Sequence, residues 1–148
     1  DEDKVMPQGL LHVRAMFQAV DNLFSEVEKN VSTKQGRAEL AYWRQRIVFS
    51  IEALNEKELL HEGARRIVAA KRARSKKAKA ERTAEAKQSF AKAIAAGKAA
   101  VRAMASEIRD DSDRSSLATY FHLFVREVQE QTTMVLAGRA ADANSDPM

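Results

Sequence analysis

The sequence predicts an all-α protein, an antiparallel bundle of four long helices arranged as two αα-hairpins. Only 5 of the 148 residues are Gly and 2 are Pro, whereas a β-sandwich or barrel needs a turn roughly every 8–12 residues. Apolar residues recur every three or four positions in several stretches, the period of a helix packed against other helices. With 45% hydrophobic residues, the chain is apolar enough to fold around a core.

The first helix is predicted from an apolar seam with alternating intervals of three and four. Ser32, Thr33 and Gly36 interrupt this seam. Ser32 and Gln35 have the spacing of a capping box, so a second helix is expected to begin there. The seam consists of Leu10, Val13, Phe17, Val20, Phe24, Val27 and Val31.

The second helix has two apolar stripes. Its main stripe consists of Leu40, Trp43, Ile47, Ile51 and Leu54. Tyr42 and Phe49, seven residues apart, form a second stripe. A helix with two apolar faces is either central in its bundle or lines a contact between chains. Tyr42 and Phe49 are therefore the candidate protein interface, and the helix is expected to end near residue 62.

The third helix is predicted from a seam that consists of Phe90, Ile94, Gly97, Val101, Met104 and Ile108. Alanines between Ala91 and Ala105 favour a helix, and their small side chains allow a neighbouring helix to approach closely. The acidic cluster at 110–113 supplies cap and turn residues, so the third helix is expected to stop there.

The fourth helix follows this cluster. Its seam consists of Leu117, Phe121, Phe124, Val128, Gln131 and Val135. Gly138 is the expected C-cap.

These elements predict one helical domain over residues 1–138. The first hairpin spans about 8–62 and the second about 83–138, with 63–82 as the connection. Residues 139–148 are small and polar, which is typical of a disordered tail.

Positive charge is concentrated in the connection. Residues 65–82 hold nine Lys and Arg against one Glu, a net +8, whereas the other residues hold 16 cations against 20 carboxylates, a net −4. When the third seam is extended backwards from Phe90, its positions hold Lys and Thr, so this stretch is not part of the apolar core. One interpretation is a single helix over 64–109 whose first half projects from the bundle. The other is a mobile basic linker, since like charges four residues apart destabilise an isolated helix. We prefer the projecting helix.

A polyanion, most favourably nucleic acid, suits such a segment because neutralising several phosphates releases condensed counterions. The segment has neither an aromatic residue for base stacking nor a sequence-reading motif, so binding would be directed at the backbone and non-specific. The expected polyanion-binding residues are Arg65, Arg66, Lys71, Arg72, Arg74, Lys76, Lys77, Lys79 and Arg82.

An alternative partner is an acidic protein surface, with the chain acting as a structural or adaptor subunit of a larger assembly. A membrane surface is disfavoured because the segment lacks an apolar face, and no stretch reaches the roughly 18 apolar residues of a membrane span. Partner helices or a homo-oligomer remain open. The cytoplasm or an organelle matrix is the favoured compartment.

Catalysis is not indicated, so we expect a non-enzymatic interaction protein without a cofactor. The chain has no Cys, and it lacks a Gly-rich phosphate loop, a G-x-S-x-G turn and an H-E-x-x-H motif. Glu58 and His61 have the Glu-x-x-His spacing of a di-metal bundle, but no second copy exists. A bundle that binds a metal or small ligand through Glu58, His61 and His122 is the second alternative.

Overall fold

The computed structural model describes the backbone of residues 8–145 and the side chains of residues 11–135. This part of the chain contains four helices and no strand, which confirms the predicted all-α helical bundle. The helices are α1 (Gln8–Glu28), α2 (Lys34–Arg72), α3 (Lys76–Ala105) and α4 (Asp111–Ser145).

Consecutive helices run antiparallel, and the α2–α3 hairpin forms the centre of the molecule. The contact between α2 and α3 is the most extensive, while α1 packs on α2 and α4 packs on both α3 and α2. On α1, Arg14 forms an ion pair with Glu58 of α2. Lys57 of α2 lies 3.3 Å from a carboxylate oxygen of Glu127 on α4. The molecule is therefore a central hairpin flanked by two helices.

Small residues bring α2 and α3 together, as the alanines of the third helix predicted. Five alanines of α3 are buried: Ala86, Ala93, Ala96, Ala100 and Ala103. On α2, a methyl group at Gly63 would overlap the ring of Phe90. Gly63 is thus a close-packing position in the middle of α2, and the helix end expected near residue 62 is wrong.

The basic segment folds back on itself. Helix α2 continues to Arg72, and the backbone of Ala73 is extended with φ −66° and ψ 141°. The Ser75 hydroxyl then accepts a hydrogen bond from the Ala78 N–H at 3.0 Å and caps α3. The preferred single helix over 64–109 is therefore wrong, although α3 does extend N-terminally beyond residue 83. A serine suits an N-cap because its oxygen accepts from an N–H that the first turn leaves unpaired.

The other helix ends are set by capping side chains and by the helix propensity of nearby residues. Thr33, rather than Ser32, caps α2 by accepting from the Gly36 N–H at 2.9 Å. Asp110 accepts from the Asp113 N–H at 2.8 Å, which confirms the predicted cap before α4. Helix α4 continues past Gly138 to Ser145, through alanines that favour helix. The expected tail is helical to that point, and its residues 146–148 lie outside the described residues.

The second stripe of α2 is its core-facing side. Continued in steps of seven from Tyr42 and Phe49, the stripe reaches Glu56, Gly63 and Ala70, and all but the half-buried Phe49 are buried. The main predicted stripe is only half-buried, and Trp43 within it is exposed. The predicted ranking of the two stripes is therefore reversed.

The core-facing side of α4 is shifted by one residue from part of its predicted seam. Tyr120 and Phe124 are buried, whereas Phe121 is 49% exposed. Tyr120 meets Phe49 edge-on with ring centroids 5.0 Å apart. Phe124 lies where Gly97 of α3 has no side chain, since a methyl group there would overlap the Phe124 ring. These contacts join α4 to both helices of the central hairpin.

Helix α1 is the least buried helix of the bundle. Its seam residues Val13, Phe17, Val20 and Phe24 are half-buried, and Val27 is exposed. The side chain of Leu10 lies outside the described side chains. Among the residues that the structure describes, no helix combines the length and the apolar character that a membrane span requires.

Candidate polyanion-binding site

All nine predicted polyanion-binding residues lie at one end of the α2–α3 hairpin, which we call the basic tip (residues 65–82). The α2 arm carries Arg65, Arg66, Lys71 and Arg72, the turn carries Arg74, and the α3 arm carries Lys76, Lys77, Lys79 and Arg82. A single 18-residue helix would be about 27 Å long, whereas the α2 arm of this tip is about 12 Å. Folding back therefore roughly doubles the charge per unit length.

Most of these cations are available to a partner. Lys71, Arg72, Arg74, Lys77 and Arg82 are exposed. Within the described part of the chain, none of these five forms an ion pair with a carboxylate. Because each keeps its charge uncompensated, the tip is a source of strong positive potential.

Arg66 has a different role from the other basic residues. Its guanidinium lies 2.6 Å from a carboxylate oxygen of Glu62 and donates to the backbone carbonyl of Glu85 at 3.3 Å. Arg66 therefore braces α2 against α3 at the base of the tip. Its charge is partly compensated by Glu62.

One face of the tip is concave. A cavity of about 940 Å³ opens there and is lined by Arg65, Arg66, Arg72 and Arg82 and also by Glu62 and Glu85. Guanidinium groups are planar forks of N–H donors that match two oxygens of a phosphate. This face can therefore hold an anionic group that several arginines approach from both arms.

Tyr42 and Phe49, the predicted protein interface, are used inside the chain. Tyr42 is 6% exposed, and its hydroxyl donates to the Asp113 carboxylate, with oxygen–oxygen distances of 2.8 and 2.9 Å. The Arg109 guanidinium lies 3.9 Å from the centroid of the Tyr42 ring. Phe49 packs against α4. The Tyr42 side chain is therefore not accessible to a partner in this fold, because the α3–α4 turn covers it.

Electrostatic interactions stabilise the contact between Tyr42 and Asp113. Burial raises the pKa of Tyr42, as does its hydrogen bond with Asp113. Burial also acts to raise the pKa of Asp113, but donors from the Arg109 N–H, the Tyr42 hydroxyl and Arg46 lower it below its ordinary value. Asp113 thus remains ionised in the interior, and it ties the start of α4 to α2.

Replacing Tyr42 by Phe tests this assignment. The Tyr42→Phe variant keeps the ring but leaves Asp113 with one donor fewer, so we expect a melting temperature lower by about 3 °C. Size-exclusion chromatography with light scattering should show an unchanged mass. A variant with unchanged melting temperature and lower mass would instead place Tyr42 in an interface between chains.

The residues of the alternative metal or small-ligand site are not brought together by the fold. Glu58 is engaged by Arg14 of α1, and His61 is exposed on α2. His122 is exposed on α4, with its ring centroid 6.5 Å from that of Phe121. Among the residues with described positions, no group of three or more His, Asp or Glu side chains could hold a metal ion.

The structure brings together a buried polar cluster that sequence reasoning did not single out as a site. Glu56 of α2 is 2% exposed. Burial, together with the adjacent carboxyl of Glu127, raises its pKa to about 8. Oε2 of each of these two residues has no donor among the described groups, and one proton held between the carboxyls supplies it. A sequence signal existed, because Glu56 follows Phe49 by seven residues on the core-facing stripe.

Tyr120 and Gln131 of α4 complete this cluster. Burial and the nearby carboxylates of Glu56, Glu127 and Glu52 raise the pKa of Tyr120 well above its ordinary value. The Tyr120 hydroxyl and Oε1 of Gln131 are buried without a hydrogen-bond partner among the described groups. Buried polar atoms in native proteins are normally hydrogen-bonded, so this cluster has capacity for a further donor.

No known protein family, curated protein or solved structure matches this chain.

Proposed function

We propose that the basic tip binds nucleic acid through the sugar–phosphate backbone, without reading base sequence, and that the remaining bundle supports it. The observation that carries this proposal is the gathering of the +8 segment into one folded-back hairpin end. A polyanion gains affinity from such a surface because each neutralised phosphate releases condensed counterions. The proposed role is binding rather than catalysis.

The dimensions of the tip suit a regular array of phosphates. Duplex DNA carries one negative charge per about 1.7 Å of helix axis, so an arm about 12 Å long lies alongside roughly seven charges. The cations occupy both arms and the turn between them. The tip can therefore contact phosphates on more than one side.

An acidic protein surface is a weaker match. Protein interfaces usually have a largely apolar core that is surrounded by a polar rim. The tip contains no aromatic residue, and Val68 is its one exposed large hydrophobic side chain among the described residues. The same lack of aromatic residues disfavours stacking on unpaired bases, so a duplex is the preferred form of nucleic acid.

Fluorescence anisotropy with a labelled duplex tests the proposal. We expect micromolar binding at about 50 mM salt, with a log–log salt slope near −5 if about six phosphates are contacted. Poly-L-glutamate of similar length serves as the acidic-protein probe. Tighter binding of poly-L-glutamate than of duplex at equal salt would contradict the nucleic-acid assignment.

Two triple variants with the same change in net charge locate the contact. Lys71→Gln, Arg72→Gln and Lys77→Gln together remove three cations of the basic tip. Lys87→Gln, Lys92→Gln and Lys98→Gln remove three exposed cations of α3 outside it. The first variant should bind at least tenfold more weakly and reduce the magnitude of the salt slope by about three, whereas the second should change affinity less than threefold. Equal losses in both variants, or no binding at low salt, would overturn the proposal.

A further inference from the structure

A second cavity lies between α2 and α4, apart from the basic tip. Its volume is about 330 Å³, at the lower end of the range for small-molecule sites. The polar lining includes Lys57, Glu127, Glu130 and Gln131, and the apolar lining includes Leu60 and Met134. The cavity therefore has one apolar side and one side rich in hydrogen-bond acceptors.

Hydrogen-bond acceptors outnumber hydrogen-bond donors on the polar side of the cavity. Gln131 is 4% exposed, and its Oε1 has no hydrogen-bond partner among the described groups. Lys57 donates to one carboxylate oxygen of Glu127 at 3.3 Å, whereas the other oxygen of Glu127 shares a proton with Glu56. Leaving the buried Gln131 oxygen unpaired destabilises the folded chain. A ligand that donates hydrogen bonds would remove this cost.

The charge on the lining selects the class of ligand. His61 also lines the cavity, but the carboxylates of Glu127 and Glu130 outnumber the single ammonium of Lys57, so a cation is favoured over an anion. A bare metal ion is a poorer match, because the described residues offer no cluster of three acidic or His ligands. The side chains of Leu60 and Met134 can contact methylene groups. These features together suit an organic ammonium ion with a short alkyl chain.

We propose that the cavity between α2 and α4 binds a small primary alkylammonium ion, whose N–H groups donate to Glu127 and Gln131 and whose alkyl chain packs on Leu60 and Met134. This site is separate from the basic tip. It does not depend on nucleic-acid binding.

Amide chemical shifts of the full chain, titrated with n-butylammonium chloride at constant ionic strength, test the proposal. For a ligand with five heavy atoms we expect a Kd of about 1 mM. Saturating shifts should concentrate in residues 57–64 and 127–134. 1-Butanol has the same chain without the charge, and tetramethylammonium has the charge without N–H donors. Both should bind at least tenfold more weakly.

Two variants show whether binding can be lost while the fold is kept. Gln131→Leu removes the unpartnered acceptor and retains a side chain of similar size, and Glu127→Gln removes the charge. Each should weaken n-butylammonium binding at least fivefold while the far-UV circular dichroism stays unchanged. The proposal is overturned if shifts do not saturate by about 20 mM, a weak limit for a small-molecule site. Equal binding of 1-butanol, or wild-type affinity in both variants, would overturn it as well.

Discussion

Gly97→Ala is expected to destabilise the protein by about 2 kcal/mol, although alanine is the better helix former. Gly97 lies within α3, where replacing Gly by Ala normally stabilises a helix by about 1 kcal/mol. Here the added methyl group would overlap the ring of Phe124, which is buried and cannot swing into solvent. Overpacking therefore makes this Gly→Ala substitution destabilising, whereas it is normally stabilising. Urea unfolding followed by circular dichroism measures the effect.

A double variant shows whether the Phe124 ring is the cause. Gly97→Ala combined with Phe124→Leu should cost clearly less than the sum of the two single changes, because the smaller side chain leaves room for the methyl group. Ala95→Gly, at an exposed position of the same helix, measures the helix-propensity term alone. A stabilising effect of Gly97→Ala would show that α3 and α4 do not approach closely at this crossing.

Glu56→Gln is expected to stabilise the protein by about 2–3 kcal/mol at pH 8 and to have little effect near pH 5. The folded-state pKa of Glu56 is raised from 4.5 to about 8, first by burial and then by Glu127. Between these two values the folded chain holds a proton that the unfolded chain has lost. Stability contributed by this group is therefore present below about pH 4.5 and is lost as the pH rises towards 8.

Glutamine imitates the protonated acid, since its amide can donate to Glu127 without titrating. Urea unfolding of both proteins at several pH values should show a steep decline in wild type and a flatter profile in Glu56→Gln. Glu26→Gln, which removes an exposed carboxylate of α1, is the control for net charge. If Glu56→Gln were less stable than wild type at pH 8, the ionised carboxylate would be the form that the fold stabilises. The raised pKa would then be wrong.

Local signals explain why the helices were predictable. The seam of α3, its alanines and the cap at Asp110 all depend on residues within a few positions of each other. The structure confirms the cap and most of the seam, but α3 ends at Ala105, so Ile108 lies outside the helix and the end expected at the acidic cluster is wrong. The helix end expected near residue 62 is wrong because helix propensity disfavours glycine by about 1 kcal/mol, whereas at Gly63 packing against Phe90 offsets that cost. The break at Ser75 was overlooked because its neighbours are strong helix formers, although serine at an N-cap is itself a local signal.

The candidate sites also differ in whether neighbouring residues or distant ones form them. The nine cations of the basic tip could be named from charge alone, since a run of like charges is visible in the sequence. For Tyr42 the sequence predicts an interface between chains, although its apolar ring and hydroxyl suit a buried contact equally well. The distinction depends on Asp113, which is 71 residues away in the chain. The Glu56–Glu127 pair is likewise 71 residues apart and is formed only when α4 packs along α2.

By itself, the sequence determined that this protein is all-α and that its positive charge lies in one segment, because helical periodicity, capping and charge runs are properties of neighbouring residues. The tertiary structure decided which stripe of α2 faces the core, and it brought Glu56 against Glu127 and Tyr42 against Asp113. It also folded the +8 segment into a hairpin end. Those outcomes depend on which helices pack together and in what register, and that is set by contacts between residues far apart in the chain.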